Sequence, residues 1–155
     1  MGSKTRRWPE AAPIDALDRE AALLAEAASR YFDHDGRADC ARLDPADRVI
    51  FSCEALRIRT RLLDISAWLV TCRDVMTADR DAAPCHPARH RLAELSAGDG
   101  GAIGRLPTAA QMLIGASIDL HDRIRRLDRG DDEDDGRRLS VGPARRLIER
   151  LQQAF

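Results

Sequence analysis

Ile14, Leu17, Ala21, Leu24, Ala28 and Tyr31 recur at alternating spacings of three and four, one face of a helix. The series predicts a first helix from Pro13 to Tyr31 or slightly beyond. Asp33-His34-Asp35-Gly36 should end it, with Gly36 in the left-handed conformation that often closes a helix. A second series, Phe51, Ala55, Ile58, Leu62, Ile65, Leu69, Cys72 and Met76, predicts a helix from Pro45 to Thr77. Asp44 suits its N-cap, Pro45 its first turn and Asp47 its positive end. Such a helix is about 50 Å long at 1.5 Å per residue. Leu56, Leu63 and Val70 form a further apolar column about 100° around it. Two columns are more greasy circumference than one neighbour can cover. This element should touch two neighbours, or one neighbour and another subunit.

A third helix opens at Pro107, carries Leu106, Ala110, Leu113, Ser117, Leu120, Ile124 and Leu127 as its stripe, and ends before Gly130. The stretch from Ala78 to Leu106, punctuated by Pro84, Pro87, Gly98, Gly100, Gly101 and Gly104, predicts irregular chain with one short helix near Ala88 to Leu95. No segment shows strand alternation. The expected fold class is all-α: a three-helix bundle with a long central helix, a short helical insertion before the third helix, and a C-terminal tail. Residues 1–12 read as an N-terminal arm, 13–130 as the bundle, 131–138 as an acidic linker and 139–155 as a basic amphipathic tail. Asp131 to Asp135 are all acidic, whereas Arg137 to Phe155 hold five arginines and one glutamate beside an apolar edge of Leu147, Ile148, Leu151 and Phe155.

Composition narrows the function classes. At 155 residues the chain suits one domain, and 44% hydrophobic with 33% charged residues is a globular balance. Only 4% is aromatic, which disfavours a β-sandwich. A formal charge of −1 excludes wholesale electrostatic capture of nucleic acid. No run approaches the ~20 apolar residues of a membrane span, and the first ten residues lack a signal-peptide core. The expectation is a cytoplasmic protein without stable membrane insertion. Cys40, Cys53, Cys72 and Cys85 are scattered and read as reduced, small apolar residues.

Candidate chemistry is sparse. Cys85, His86 and His90 are the best metal-like grouping, but a fourth ligand and paired-cysteine spacing are missing. His121, between Asp119 and Asp122, could serve phosphotransfer, yet reads better as a surface or edge histidine. The acidic run lacks the closing glutamate of a calcium loop, and Ile103 occupies a required glycine position of a dinucleotide loop. No cofactor, metal site or catalytic pair is expected. The alternative function is therefore a phosphotransfer or metal-binding helical protein using His121 or Cys85, His86 and His90. Glu54, Arg57, Arg61 and Asp64 follow one side of the second helix, and Trp68 continues its edge. They form either a salt-bridged solvent face or an arginine–tryptophan strip presenting planar donor forks to a partner.

Tyr31-Phe32-Asp33, Gly36-Arg37, Glu54-Ala55-Leu56-Arg57, Arg61-Leu62 and Ser66-Ala67-Trp68-Leu69 occur as ordered blocks. Ser117, Arg123-Ile124 and Arg126-Leu127-Asp128 complete the series in the third helix. With these blocks, residues 15–128 resemble the regulators of CtrA degradation, a bacterial family also catalogued as a domain of unknown function. The resemblance implies a non-enzymatic, dimeric three-helix bundle acting as an adaptor in regulated proteolysis during the cell cycle. It implies as partners the ClpXP protease, fellow adaptors and a response-regulator substrate such as CtrA. Tyr31, Phe32, Arg37, Glu54, Arg57, Arg61 and Trp68 are the expected partner-binding residues. This chain departs from the family in its Asp33-His34-Asp35-Gly36 turn, in residues 78–106 and in its arginine-rich end.

Overall fold

Alternating three- and four-residue spacings produce helices here because each stripe buries against the next. The protein, as a computed structural model, is described over residues 11–77, 92 and 98–129. Helix α1 spans Ala11–Arg30 and leads into a π-helical turn at Tyr31–Asp35. A five-residue helix α2, Arg37–Ala41, follows, then the long α3, Pro45–Thr77. A single turn α4, Gly100–Ile103, precedes α5, Thr108–Arg129. No strand occurs among the described residues, and the fold is an all-α bundle. The expected N-terminal arm is cut short at its end, since Ala11 and Ala12 already belong to α1. Residues 1–10, the acidic linker, the basic tail and the expected helix near Ala88 to Leu95 lie outside the described residues, apart from Leu92, which is buried in the core.

All six stripe residues of α1 are buried, from Ile14 at 1% exposure to Tyr31 at 4%. Leu106, Ala110, Leu113, Ser117, Leu120 and Ile124 are buried likewise along and just before α5. Between these two helices lies α3, contributing Phe51, Ile58, Leu62, Ile65, Leu69 and Cys72. Met76, the last member of its predicted stripe, is exposed because the apolar series outruns its neighbours there. Ion pairs fix the relative directions. Asp33 meets Arg59 while Asp15 and Asp18 meet Arg73, so α1 and α3 run antiparallel. Asp47 meets Arg105 and Asp64 meets His121, so α3 and α5 run parallel. Gly98, ahead of α4, lies beside Glu54 near the first half of α3.

The π turn corrects one expectation. Gly36 has φ −79° and ψ 0°, ordinary right-handed backbone rather than the left-handed cap. Its amide donates to the Tyr31 carbonyl at 2.7 Å, closing a wider ring than an α-turn does. Glycine is needed there for space: a Cβ would stand 2.8 Å from the Tyr31 carbonyl oxygen and 3.0 Å from its ring. Among the described cysteines, Cys72 is buried, Cys40 partly buried and Cys53 exposed, so Cys72 alone of these three is fully a core residue; Cys85 lies outside the described residues.

Candidate functional site

Helix α3 has two unlike faces. Toward α5 it turns Glu54, Ile58, Arg61, Ile65 and Trp68, all buried. Glu54 is fully enclosed; its Oε1 accepts from Arg57 Nη1, while Oε2 has no hydrogen-bond partner among the described residues. Gly98 lies so close to that carboxylate that no Cβ would fit. Arg61, 3% exposed, donates through Nη1 to Ser117 Oγ at 3.2 Å. Burial lowers its pKa from the ordinary arginine value, with the Glu54 charge acting the other way. His121 Nε2 stands 3.4 Å from Asp64 Oδ2, and Trp68 Nε1 donates to Asp128 Oδ1 at 3.0 Å. On the α1 side of α5, Arg123 grips Glu20 with two bonds of 2.9 and 2.7 Å.

Among the expected partner-binding residues, Tyr31, Glu54, Arg61 and Trp68 are thus interior. Heptad spacing put Glu54, Arg61 and Trp68 on one edge, but that edge is the α3–α5 interface rather than a solvent-facing strip. Tyr31 is held by its hydroxyl donating to Asp39 Oδ2 at 3.0 Å; burial and that carboxylate push the phenol well above its usual pKa. Phe32 is partly buried, while Arg37 and Arg57 reach solvent. His121 is buried at 4% exposure, not at the surface, which closes it to an incoming phosphodonor. Cys85, His86 and His90 lie outside the described residues. Among the described residues, no three His, Cys, Asp or Glu side chains gather as a metal site. No described helix is long and apolar enough to cross a membrane.

The opposite face of α3 carries the unexpected feature. Val49, Leu56, Leu63 and Val70 are 63%, 60%, 72% and 55% exposed. They repeat every seven residues over about 32 Å of helix. Small residues, Ala46, Cys53, Thr60 and Ala67, alternate with them at spacings of three and four. Thr60 satisfies its hydroxyl internally on the Leu56 carbonyl at 3.0 Å. Together they form an apolar seam with the repeat of a coiled coil, its four large side chains left mostly in water. The sequence pattern supplied Leu56, Leu63 and Val70; Val49 and the small-residue column become visible only once the first stripe is seen to be buried.

Comparison with known proteins places this geometry. The profile of a family described as "Protein of unknown function (DUF1465)" matches residues 6–155. A structure search finds RcdA from Caulobacter crescentus CB15, with a TM-score of 0.61 and 26% identity, over 83% of this chain and 96% of that one. A search of curated proteins gives no match.

Proposed function

The chain belongs to the DUF1465 family, and on that premise we propose that it is a non-enzymatic, dimeric helical adaptor. It serves regulated proteolysis in the cytoplasm, helping to deliver substrates to the ClpXP protease in cell-cycle control. ClpXP, fellow adaptors and a response-regulator substrate are its partners. The likeness to RcdA supports the adaptor role. The single observation that carries the pairing is the exposed apolar seam of α3. Four aliphatic side chains left in water along one helix form the kind of stripe that marks an interface.

The seam is also self-complementary. Val and Leu lie in the order Val49, Leu56, Leu63, Val70, which reads the same from either end. In an antiparallel pair of α3 helices Val49 of one copy meets Val70 of the other, and Leu56 meets Leu63. That is the isologous contact a two-fold dimer requires. The intervening Ala46, Cys53, Thr60 and Ala67 let the two backbones approach closely. A seven-residue repeat on straight helices drifts by roughly 20° per heptad, so the pair crosses at a shallow left-handed angle.

Light scattering tests the pairing: the protein should show twice the 17.2 kDa subunit mass, and Leu56→Glu with Leu63→Glu should return it to one subunit. Affinity capture from the native cell tests delivery. ClpX, a fellow adaptor or a response regulator should be retained by the pair. A single-subunit mass for the unaltered protein removes the paired scaffold. Capture that retains none of the three removes the adaptor role.

A further inference from the structure

The π turn adds one residue to the last turn of α1 and swings Phe32 and Asp33 over α3. Phe32 then packs on Phe51 with ring centroids 4.9 Å apart, and Tyr31 meets Phe32 edge-on at 5.2 Å. Between this turn, α2 and α3 a groove of about 410 Å³ opens to solvent. Phe32, Phe51 and Cys40 line it, and Leu56, 60% exposed, forms its α3 wall. Two guanidinium groups, Arg37 and Arg59, border the trough. Arg59 is engaged: it donates to Asp33, which also accepts from Ser29 Oγ at 2.8 Å. Arg37 is exposed and makes no ion pair or hydrogen bond among the described residues.

One carboxylate against two guanidinium groups leaves the groove with an excess positive charge, carried by a fork with no partner among the described residues. A planar arginine fork matches a carboxylate in two parallel hydrogen bonds, better than it matches a point anion. The aromatic and thiol lining favours an apolar side chain, and the volume lies at the small end of the range for ligand pockets. We propose that this groove is a docking site for a short acidic peptide segment of a partner protein. One apolar side chain enters the trough between Phe32, Cys40 and Phe51, on the side away from the pairing seam, and a neighbouring aspartate or glutamate reaches Arg37. The inference rests on the adaptor reading for the origin of the peptide, and names the chemistry of the segment an adaptor of this fold would hold.

The probe is a fluorescein-labelled hexapeptide, Asp-Asp-Leu-Phe-Asp-Asp, titrated with the full chain and followed by anisotropy. Two controls replace the aspartates by lysines or the Leu-Phe pair by two serines. Saturable binding of the acidic apolar peptide, about tenfold or more tighter than either control, is expected. Arg37→Glu should weaken it by about tenfold or more, with Arg37→Lys between the two. Backbone amide shifts on binding should centre on Phe32, Arg37 and Cys40. Because Arg37 is exposed and has no partner among the described residues, both variants should keep the circular dichroism melt of the parent.

Equal binding of the lysine peptide, absence of saturable binding, indifference to Arg37→Glu, or shifts centred elsewhere would each overturn the proposal. Leu63→Glu, outside the groove, should leave peptide binding intact; its loss there would mean that the groove exists only in a pair and overturn the site as stated. A change of light-scattering mass on Arg37→Glu would make a second copy the occupant, with the same consequence. Peptide binding that persists while cellular capture retains no protease, adaptor or regulator separates failure of the adaptor role from failure of the groove.

Discussion

The two long faces of α3 invert the usual distribution of residues. The face against α5 encloses two charges, Glu54 at 0% exposure and Arg61 at 3%, whereas the opposite face leaves Leu56 and Leu63 at 60% and 72%. Burial of charge is tolerable only where the charges sit close to one another and to polar partners, as Ser117 and Arg57 provide here. Exposure of four aliphatic side chains forgoes their burial, and is stable in water only because the rest of the core carries the fold. The lesson is that an internal ionic contact and an external greasy stripe on one helix answer different needs. Inside, the Arg61 bond to Ser117 ties α3 to α5; outside, the stripe is left to another surface.

Substitutions on the two faces should therefore separate cleanly. The largest effect is expected inside. Glu54→Ala removes the enclosed acceptor of Arg57 and a charge that offsets the burial of Arg61, and should cost about 1.5–3 kcal/mol in urea unfolding. The double variant Glu54→Leu with Arg61→Leu should recover part of that loss, since the remaining apolar groups need no partner. An unchanged midpoint for Glu54→Ala would show that the two charges do not depend on one another.

Next comes Trp68→Phe, which removes the bond to Asp128 and some buried volume. It should destabilise by about 1–2 kcal/mol, with the parent's pairing retained. A smaller effect is set by pH. Burial, and then the Asp128 charge, push the Cys72 thiol up from 9.0 to about 12. A raised pKa means that the fold holds the neutral thiol: its stabilising share is complete below pH 9 and is lost as pH climbs toward 12. Cys72→Val should flatten that alkaline decline in urea midpoint; an identical decline in parent and variant would place its cause elsewhere.

The smallest effect on the fold is expected outside. Leu63→Glu should change subunit stability by no more than about 0.5 kcal/mol, read on the pair-free protein, while abolishing pairing in light scattering. A large loss of subunit stability would show that the outer stripe packs within its own chain, and would erase the contrast between the faces.

Much of the core was legible in the pattern of residues. Ile14 to Tyr31 and Leu106 to Ile124 are buried at the positions their spacing selected, because a helix gives side chains three and four apart a common face. The family resemblance was legible too, in blocks such as Ser66-Ala67-Trp68-Leu69 and Arg126-Leu127-Asp128, and the family match follows it. The candidate site was less so. Periodicity aligns Glu54, Arg61 and Trp68 but carries no information on whether their shared side meets water or α5. Arg37 and Phe32 were singled out by the resemblance, but the groove they border was not, since it depends on a π turn bringing Phe32 over Phe51. The short helices α2 and α4 also escaped, being too brief to complete a hydrophobic repeat.

The sequence by itself determined the three long helices, their inward stripes and the surplus apolar column on α3, because local geometry and side-chain spacing suffice for these. Only the tertiary structure decided which of the α3 stripes is enclosed, that α5 runs parallel to α3, and that His121 lies inside. Those outcomes follow from contacts between residues some 50 or more positions apart, such as Arg61 with Ser117 and Asp64 with His121. Such contacts arise from the mutual fit of whole helices, and no local run of residues encodes them.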